Sequence, residues 1–148
     1  MDSFRVVTLL RRLHVRIRLQ VTEDLRARGY DDITAAHLSV FQTPGPDGMR
    51  PTELARRTLM TKQAMNHLLA GLEARGYLER VASGGDGRAR VLRLTRKGRQ
   101  LTKIIQQRAA EIERRWGEEL GPERTRELVA ALEDLDAVGV AAENHAVT

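Results

Sequence analysis

The chain has 148 residues, with 25 Lys and Arg against 20 Asp and Glu, four His, no Cys, 41% apolar residues and 3% aromatics. That is one domain's worth of chain, with apolar surface enough for one core or for a core plus a dimer seam. The lack of Cys excludes disulfides, thiolate metal sites and thiol catalysis. Its apolar runs fall well short of the roughly 20 residues that cross a bilayer, and its start lacks the layout of a signal peptide, so a cytoplasmic protein with no membrane partner is expected.

The first 25 residues place Val6, Leu9, Leu10, Leu13, Ile17, Val21 and Leu25 at three-and-four spacing, which predicts one long amphipathic helix ending near Gly29, with an Arg-rich opposite face. A shorter helix is predicted around Ile33, Leu38, Val40 and Phe41, closed by the breakers Pro44, Gly45, Pro46, Asp47 and Gly48. RPTELARR follows, with Pro51 in the first turn of a helix that ends near Thr58. The next helix, TKQAMNHLLAGLEARGY, has Thr61 as its N-cap and Gly76 as its stop. Two helices joined this tightly form a helix-turn-helix. YLERVA and RVLRLT then read as strands joined by Ser83-Gly84-Gly85-Asp86-Gly87, a hairpin tip. A long helix carrying Leu101, Ile104, Ile105, Ile112, Trp116 and Leu120 is interrupted at Gly121-Pro122; a last helix carries Leu128, Leu132, Leu135 and Val138, and the tail after Gly139 is expected to fray. The fold class is therefore mainly α with a small β-hairpin wing, a winged helix-turn-helix flanked by long helices.

Charge follows this division. Met1 to Met49 holds 7 basic and 6 acidic residues, Arg50 to Lys103 holds 13 and four, and Ile104 to Thr148 holds 5 and 10, for net charges of +1, +9 and −5. A basic segment coinciding with the helix pair and hairpin is the footprint of a polyanion-binding module, nucleic acid being the commonest partner.

At about 100° per residue from Thr61, Met65, Leu68, Leu69 and Leu72 share the core sector, and Gln63, Asn66, His67 and Ala70 lie opposite. Gln, Asn and His offer donors and acceptors to base edges, and Ala70 can meet a thymine methyl, a set suited to the major groove. Lys62, beside the helix start, suits a phosphate. Arg88 and Arg90 follow a Gly-rich tip that can approach a minor groove closely, and Asp86 is read as bracing the wing. A solvated polar face is the bland alternative; position within the helix pair and the basic segment argues against it.

TELARR, LEARGYLER and DGRARVLRLTRKG together resemble the multiple-antibiotic-resistance regulator (MarR) family of bacterial winged-helix transcription factors. The most specific element is Asp86-Gly87-Arg88 followed by Leu94-Thr95 and Gly98, with Leu72, Gly76, Glu79 and Arg80 upstream. The resemblance implies that Arg88 enters the minor groove, that Asp86 braces the wing, and that the protein is a homodimer whose first and last two helices interlock. It thus implies three parts: residues 1–30 and 101–148 for dimerisation, and 31–100 for DNA binding. Asn66-His67 stands where many members have Ser or Thr followed by Arg, a departure that bears on the preferred base sequence. The amphipathic helices at both ends agree with dimerisation, since a wing domain of about 55 residues could not cover them. A symmetric dimer implies a pseudo-palindromic operator of double-stranded DNA.

The resemblance further implies a small aromatic or phenolic ligand that releases DNA. His14, His37 and Trp116 lie on segments that could line its pocket, although such residues are more often packed than ligating. Peroxide sensing through thiols is excluded, four scattered His make no metal site, and no cofactor is implied. No phosphate loop, nucleophile elbow or HExxH motif supports catalysis. The main reading is a sequence-specific transcriptional repressor; a non-specific nucleoid-type DNA binder and a winged-helix protein-interaction module remain as alternatives.

Overall fold

The computed structural model describes residues 4–42 and 45–146. In chain order it contains α1 (Arg5–Ala27), a 3-10 helix (His37–Phe41), α2 (Pro51–Arg57), α3 (Lys62–Ala74), β1 (Leu78–Ser83), β2 (Asp86–Leu94), α4 (Arg96–Leu120) and α5 (Pro122–Ala146). The chain divides into two units, Met1–Ala109 and Ala110–Thr148, with the boundary inside α4.

In the first unit, α1 ends where the sequence predicts: Gly29 takes φ +90 and Tyr30 N–H bonds back to the Leu25 carbonyl at 2.9 Å, a left-handed stop that glycine adopts without strain. Within α1 only Val21 and Leu25 are buried. The turns ahead carry Val6, Leu9, Leu10 and Leu13 at 63, 45, 42 and 38% exposure.

The predicted second helix is instead the 3-10 helix His37–Phe41. Its start is closed by the Thr34 N–H donating to His37 Nδ1 at 3.0 Å, and Gln42 is already extended with ψ 155. The segment is too short to repay α-helical nucleation, so it settles into the tighter turn. Pro44 of the breaker cluster lies outside the described residues, and the end of the cluster has a structural use: Gly48 N–H bonds to the Leu92 carbonyl at 2.9 Å and Leu92 N–H to the Met49 carbonyl at 2.8 Å. Asp47 Oδ1 accepts Leu94 N–H at 2.6 Å, so this loop lines the outer edge of β2.

The core gathers Leu25, Val40, Phe41, Met65, Leu69, Leu72, Tyr77, Leu78, Leu92 and Leu101, each at most 1% exposed. Full burial of such side chains is worth about 1.5–3 kcal/mol apiece, which is what holds α1, α3, the hairpin and α4 together. β1 and β2 pair antiparallel from Leu78↔Leu94 to Ser83↔Asp86, with a bulge at Ala82/Ser83. The turn is two residues, Gly84-Gly85, so β2 begins at Asp86 rather than after Gly87. Thr95 caps α4: its hydroxyl accepts Gly98 N–H at 3.1 Å and donates to the Gly76 carbonyl at 2.6 Å.

In the second unit, Gly121 at φ +80 separates α4 from α5. Glu111 accepts from Arg114 at 3.0 Å and Arg115 at 2.9 Å, and these bonds hold its carboxyl down at about 2. Leu128, Val129, Leu132 and Leu135 on α5 are 40–57% exposed. The helix continues past Gly139 to Ala146 instead of fraying there, because Ala, Val and Glu in the tail are tolerable helix formers. No helix among the described residues is long and apolar enough to cross a membrane.

Candidate nucleic-acid interface

The helix pair is built by three local devices. Pro51 opens α2 at a position where no N–H partner exists to lose. Between the helices Leu59 takes φ 55, and Met60 N–H bonds to the Ala55 carbonyl at 2.9 Å, turning the chain within a few residues. Thr61 then caps α3, its Oγ1 accepting Ala64 N–H at 3.1 Å, and Gly76 at φ +78 ends the helix with Tyr77 N–H on the Leu72 carbonyl at 2.9 Å.

These constraints set the rotation of α3. Met65, Leu69 and Leu72 are fully buried, and Leu68 is half-buried. Thr61, Lys62, Gln63, Asn66, His67 and Ala70 are all exposed. The predicted core and polar faces are thus the faces observed. An open depression of about 620 Å³ separates α2 from the start of α3, lined by Thr52, Glu53, Ala55, Arg56, Met60, Thr61 and Lys62. Its charged side chains are two cations and the Glu53 carboxylate.

On the hairpin, Arg90 is exposed and pairs in register with Ala82. The side chains of Asp86 and Arg88 lie outside the described residues, although their backbone forms the first residues of β2. Arg93 and Glu79, opposite each other in the ladder, form an ion pair at 2.7 Å on the exposed face. Such surface pairs contribute about 1 kcal/mol at most.

A polar cluster supports the C-terminal end of α3. Tyr77, 1% exposed, donates to Asp32 Oδ1 at 2.7 Å; burial first, and then that carboxylate, push its phenol well above the usual range. Lys97 Nζ sits 4.1 Å above the Tyr77 ring and donates to the Arg75 carbonyl at 2.9 Å. Arg75 donates to the Asp32 carbonyl at 3.1 Å, and its Nη1 lies 3.4 Å from His37 Nε2. His37 is therefore buried among polar partners, His14 is exposed on α1 with Nε2 3.2 Å from Arg18, and Trp116 belongs to the second unit.

One residue outside the predicted set touches it and is itself paired with a second. Arg80 of β1 lies 3.5 Å from Asn66 Oδ1 and 3.3 Å from Glu73 Oε2. The one signal in the sequence is that Glu73 falls seven residues after Asn66, on the same helix stripe.

Residues 42–89 match the model of the MarR family. Over 56 residues the chain is 45% identical to the HTH-type transcriptional repressor Rv2887 of Mycobacterium tuberculosis, covering 38% of this chain and 40% of that repressor's length. The solved structure of the M. tuberculosis MarR family protein Rv2887 with salicylic acid is 31% identical, covers 90% of this chain and 98% of its own, and superposes with a TM-score of 0.65. The chain belongs to the MarR family. Its fold is shared by FabT of Streptococcus pneumoniae, solved in complex with DNA, which is 22% identical over 95% of this chain and 99% of its own, with a TM-score of 0.79. MarR family proteins are transcription regulators rather than enzymes.

Proposed function

We propose that the protein is a homodimeric, sequence-specific double-stranded DNA-binding repressor that a small aromatic or phenolic ligand releases from its operator. The observation that carries this reading is the exposed Gln63, Asn66, His67 and Ala70 face of a capped helix, second in a tight pair and inside the segment of net charge +9. Helices so placed enter the major groove with their N-terminal residues on base edges. Lys62 contacts phosphate, Thr61 approaches the backbone, and Arg88 and Arg90 reach the adjacent minor groove, with Asp86 bracing the wing.

Support for the dimer comes from the exposed apolar stripes of α1 and α5, which a lone chain would leave in water at a cost of about 25 cal/mol per Å². Residues 1–30 and 101–148 supply that seam, and 31–100 the DNA-binding part. The repressor function and ligand class rest on Rv2887, a named repressor solved with salicylic acid. Two-fold symmetry then calls for a pseudo-palindromic operator with half-sites about one helical turn apart.

Titration of fluorescent duplexes tests the division of roles. Gln63→Ala or Asn66→Ala loses about 1–3 kcal/mol of discrimination, whereas Lys62→Ala weakens all sequences alike and lowers the salt slope by about one. Arg88→Ala weakens operator binding, and salicylate dissociates the complex. Wild-type affinity in Arg88→Ala would remove the wing from the interface; a salt slope unchanged by Lys62→Ala would remove the phosphate contact.

A further inference from the structure

Asn66 is the member of the proposed reading face whose amide is engaged from outside its own helix. Arg80 projects from β1 onto α3, its Nη1 donating to Asn66 Oδ1 at 3.5 Å and its Nε standing 3.3 Å from Glu73 Oε2, an ion pair more than a directed hydrogen bond. Asn66, Ala70 and Glu73 are spaced four and three residues apart and share one helix stripe.

We infer that the Glu73–Arg80 pair fixes the orientation of the Asn66 amide and so determines which base edge it reads, making Glu73 and Arg80 positioning residues for sequence specificity. The inference rests on α3 being the groove-reading helix. A free Asn amide can rotate to offer its donor and its acceptor in either order, which suits bidentate contact with adenine N6 and N7. A guanidinium has five donors and no acceptor, so the amide atom facing it must be the oxygen. With Oδ1 held, Asn66 turns its NH2 group outward. The face then favours base-edge acceptors such as guanine O6 and N7 or thymine O4, and rejects the cytosine N4 donor.

Charge argues the same way for Glu73. It is one of only four acidic residues in the segment carrying 13 basic ones, and it stands on the stripe that contains Asn66, where a carboxylate repels phosphate. Stability does not account for it, because the two side chains are 25 and 43% exposed and pairs that open to solvent contribute little. Holding Arg80 over Asn66 does.

Selection of bound duplexes from a random pool by wild type, Glu73→Gln, Arg80→Lys and Asn66→Ala, with thermal melts of each, tests this. Glu73→Gln removes the anchor without volume change, and Arg80→Lys keeps the charge without the fork. Both should lose about tenfold in discrimination at the same one position of each half-site, while the melting temperature stays put. Glu73→Gln should bind scrambled duplex as well as wild type or better. In an Asn66→Ala background Glu73→Gln should have no further effect on the base profile. A base profile unchanged at every position in Glu73→Gln would overturn the inference, as would uniform weakening with a lower salt slope in an Arg80→Gln variant whose profile is intact, which would make Arg80 a phosphate contact. A wild type that enriches no sequence at all would overturn the groove-reading role itself, an outcome distinct from both.

Discussion

Leu59 is the one non-glycine residue with positive φ among those described, at 55°, and its side chain is 75% exposed. An L-residue there costs about 1–2 kcal/mol, partly offset by the lower unfolded-state entropy of Leu relative to Gly. Leu59→Gly should therefore stabilise the protein by about 0.5–1 kcal/mol in urea unfolding, and a loss of stability would show that the Leu side chain makes up the strain. Nothing in the run Thr58-Leu59-Met60 signals a left-handed turn, since Gly or Asn is absent; only the need to close α2 onto α3 imposes it. His37 carries a second residue-scale prediction. Burial first, and then the Arg75 guanidinium, hold its pKa below the ordinary 6.5, with Asp32 opposing and His67 adding slightly. The native state thus prefers the neutral ring that accepts from Thr34. Its contribution is complete above the unfolded value and is lost as pH falls through the lower folded value, because the unfolded chain binds the proton first. Unfolding measured at pH 7 and pH 5 should show wild type losing more stability than His37→Asn, whose amide oxygen can still accept from Thr34. Equal losses would contradict the buried neutral ring.

At the scale of elements, most of the fold was legible because the residues that stop and start helices are specific. Gly29, Pro51, Thr61, Gly76, Gly121 and Pro122 all stand at the boundaries their chemistry predicts. What escaped was tertiary. The pairing of Gly48 and Met49 with Leu92 joins residues far apart in sequence, and the 3-10 helix, whose His37 ring accepts from the Thr34 N–H, carries a short apolar pattern equally readable as α. Thr95 and Gly98, read as part of a family signature, now have a physical cause. A Cβ at Gly98 would stand 1.9 Å from the Tyr77 carbonyl oxygen, so the first turn of α4 can lie against the start of β1 only without a side chain. Gly98→Ala should destabilise the protein by roughly 1–3 kcal/mol through this overpacking, read as a lower denaturation midpoint with an unchanged slope. A midpoint equal to wild type would show that α4 can move away freely.

For the molecule as a whole, the segregation of charge along the chain and the predicted faces of α3 were readable because they follow from composition and helical period alone. The apolar repeats of α1 and α5 were readable for the same reason, and the structure leaves the first turns of α1 exposed, which is the observation the proposed dimer seam rests on. The Asn66, Arg80 and Glu73 contact was not readable, since it depends on how β1 crosses α3. Selection of duplexes from a random pool by purified wild-type protein, followed by affinity and stoichiometry for the winner and a scrambled control at two salt concentrations, tests the proposed operator recognition most directly. A palindromic winner, bound by two protomers at least a thousandfold more tightly than the control, is the expected result. Equal and steeply salt-dependent binding of both duplexes, or retention of neither at low salt, would contradict it.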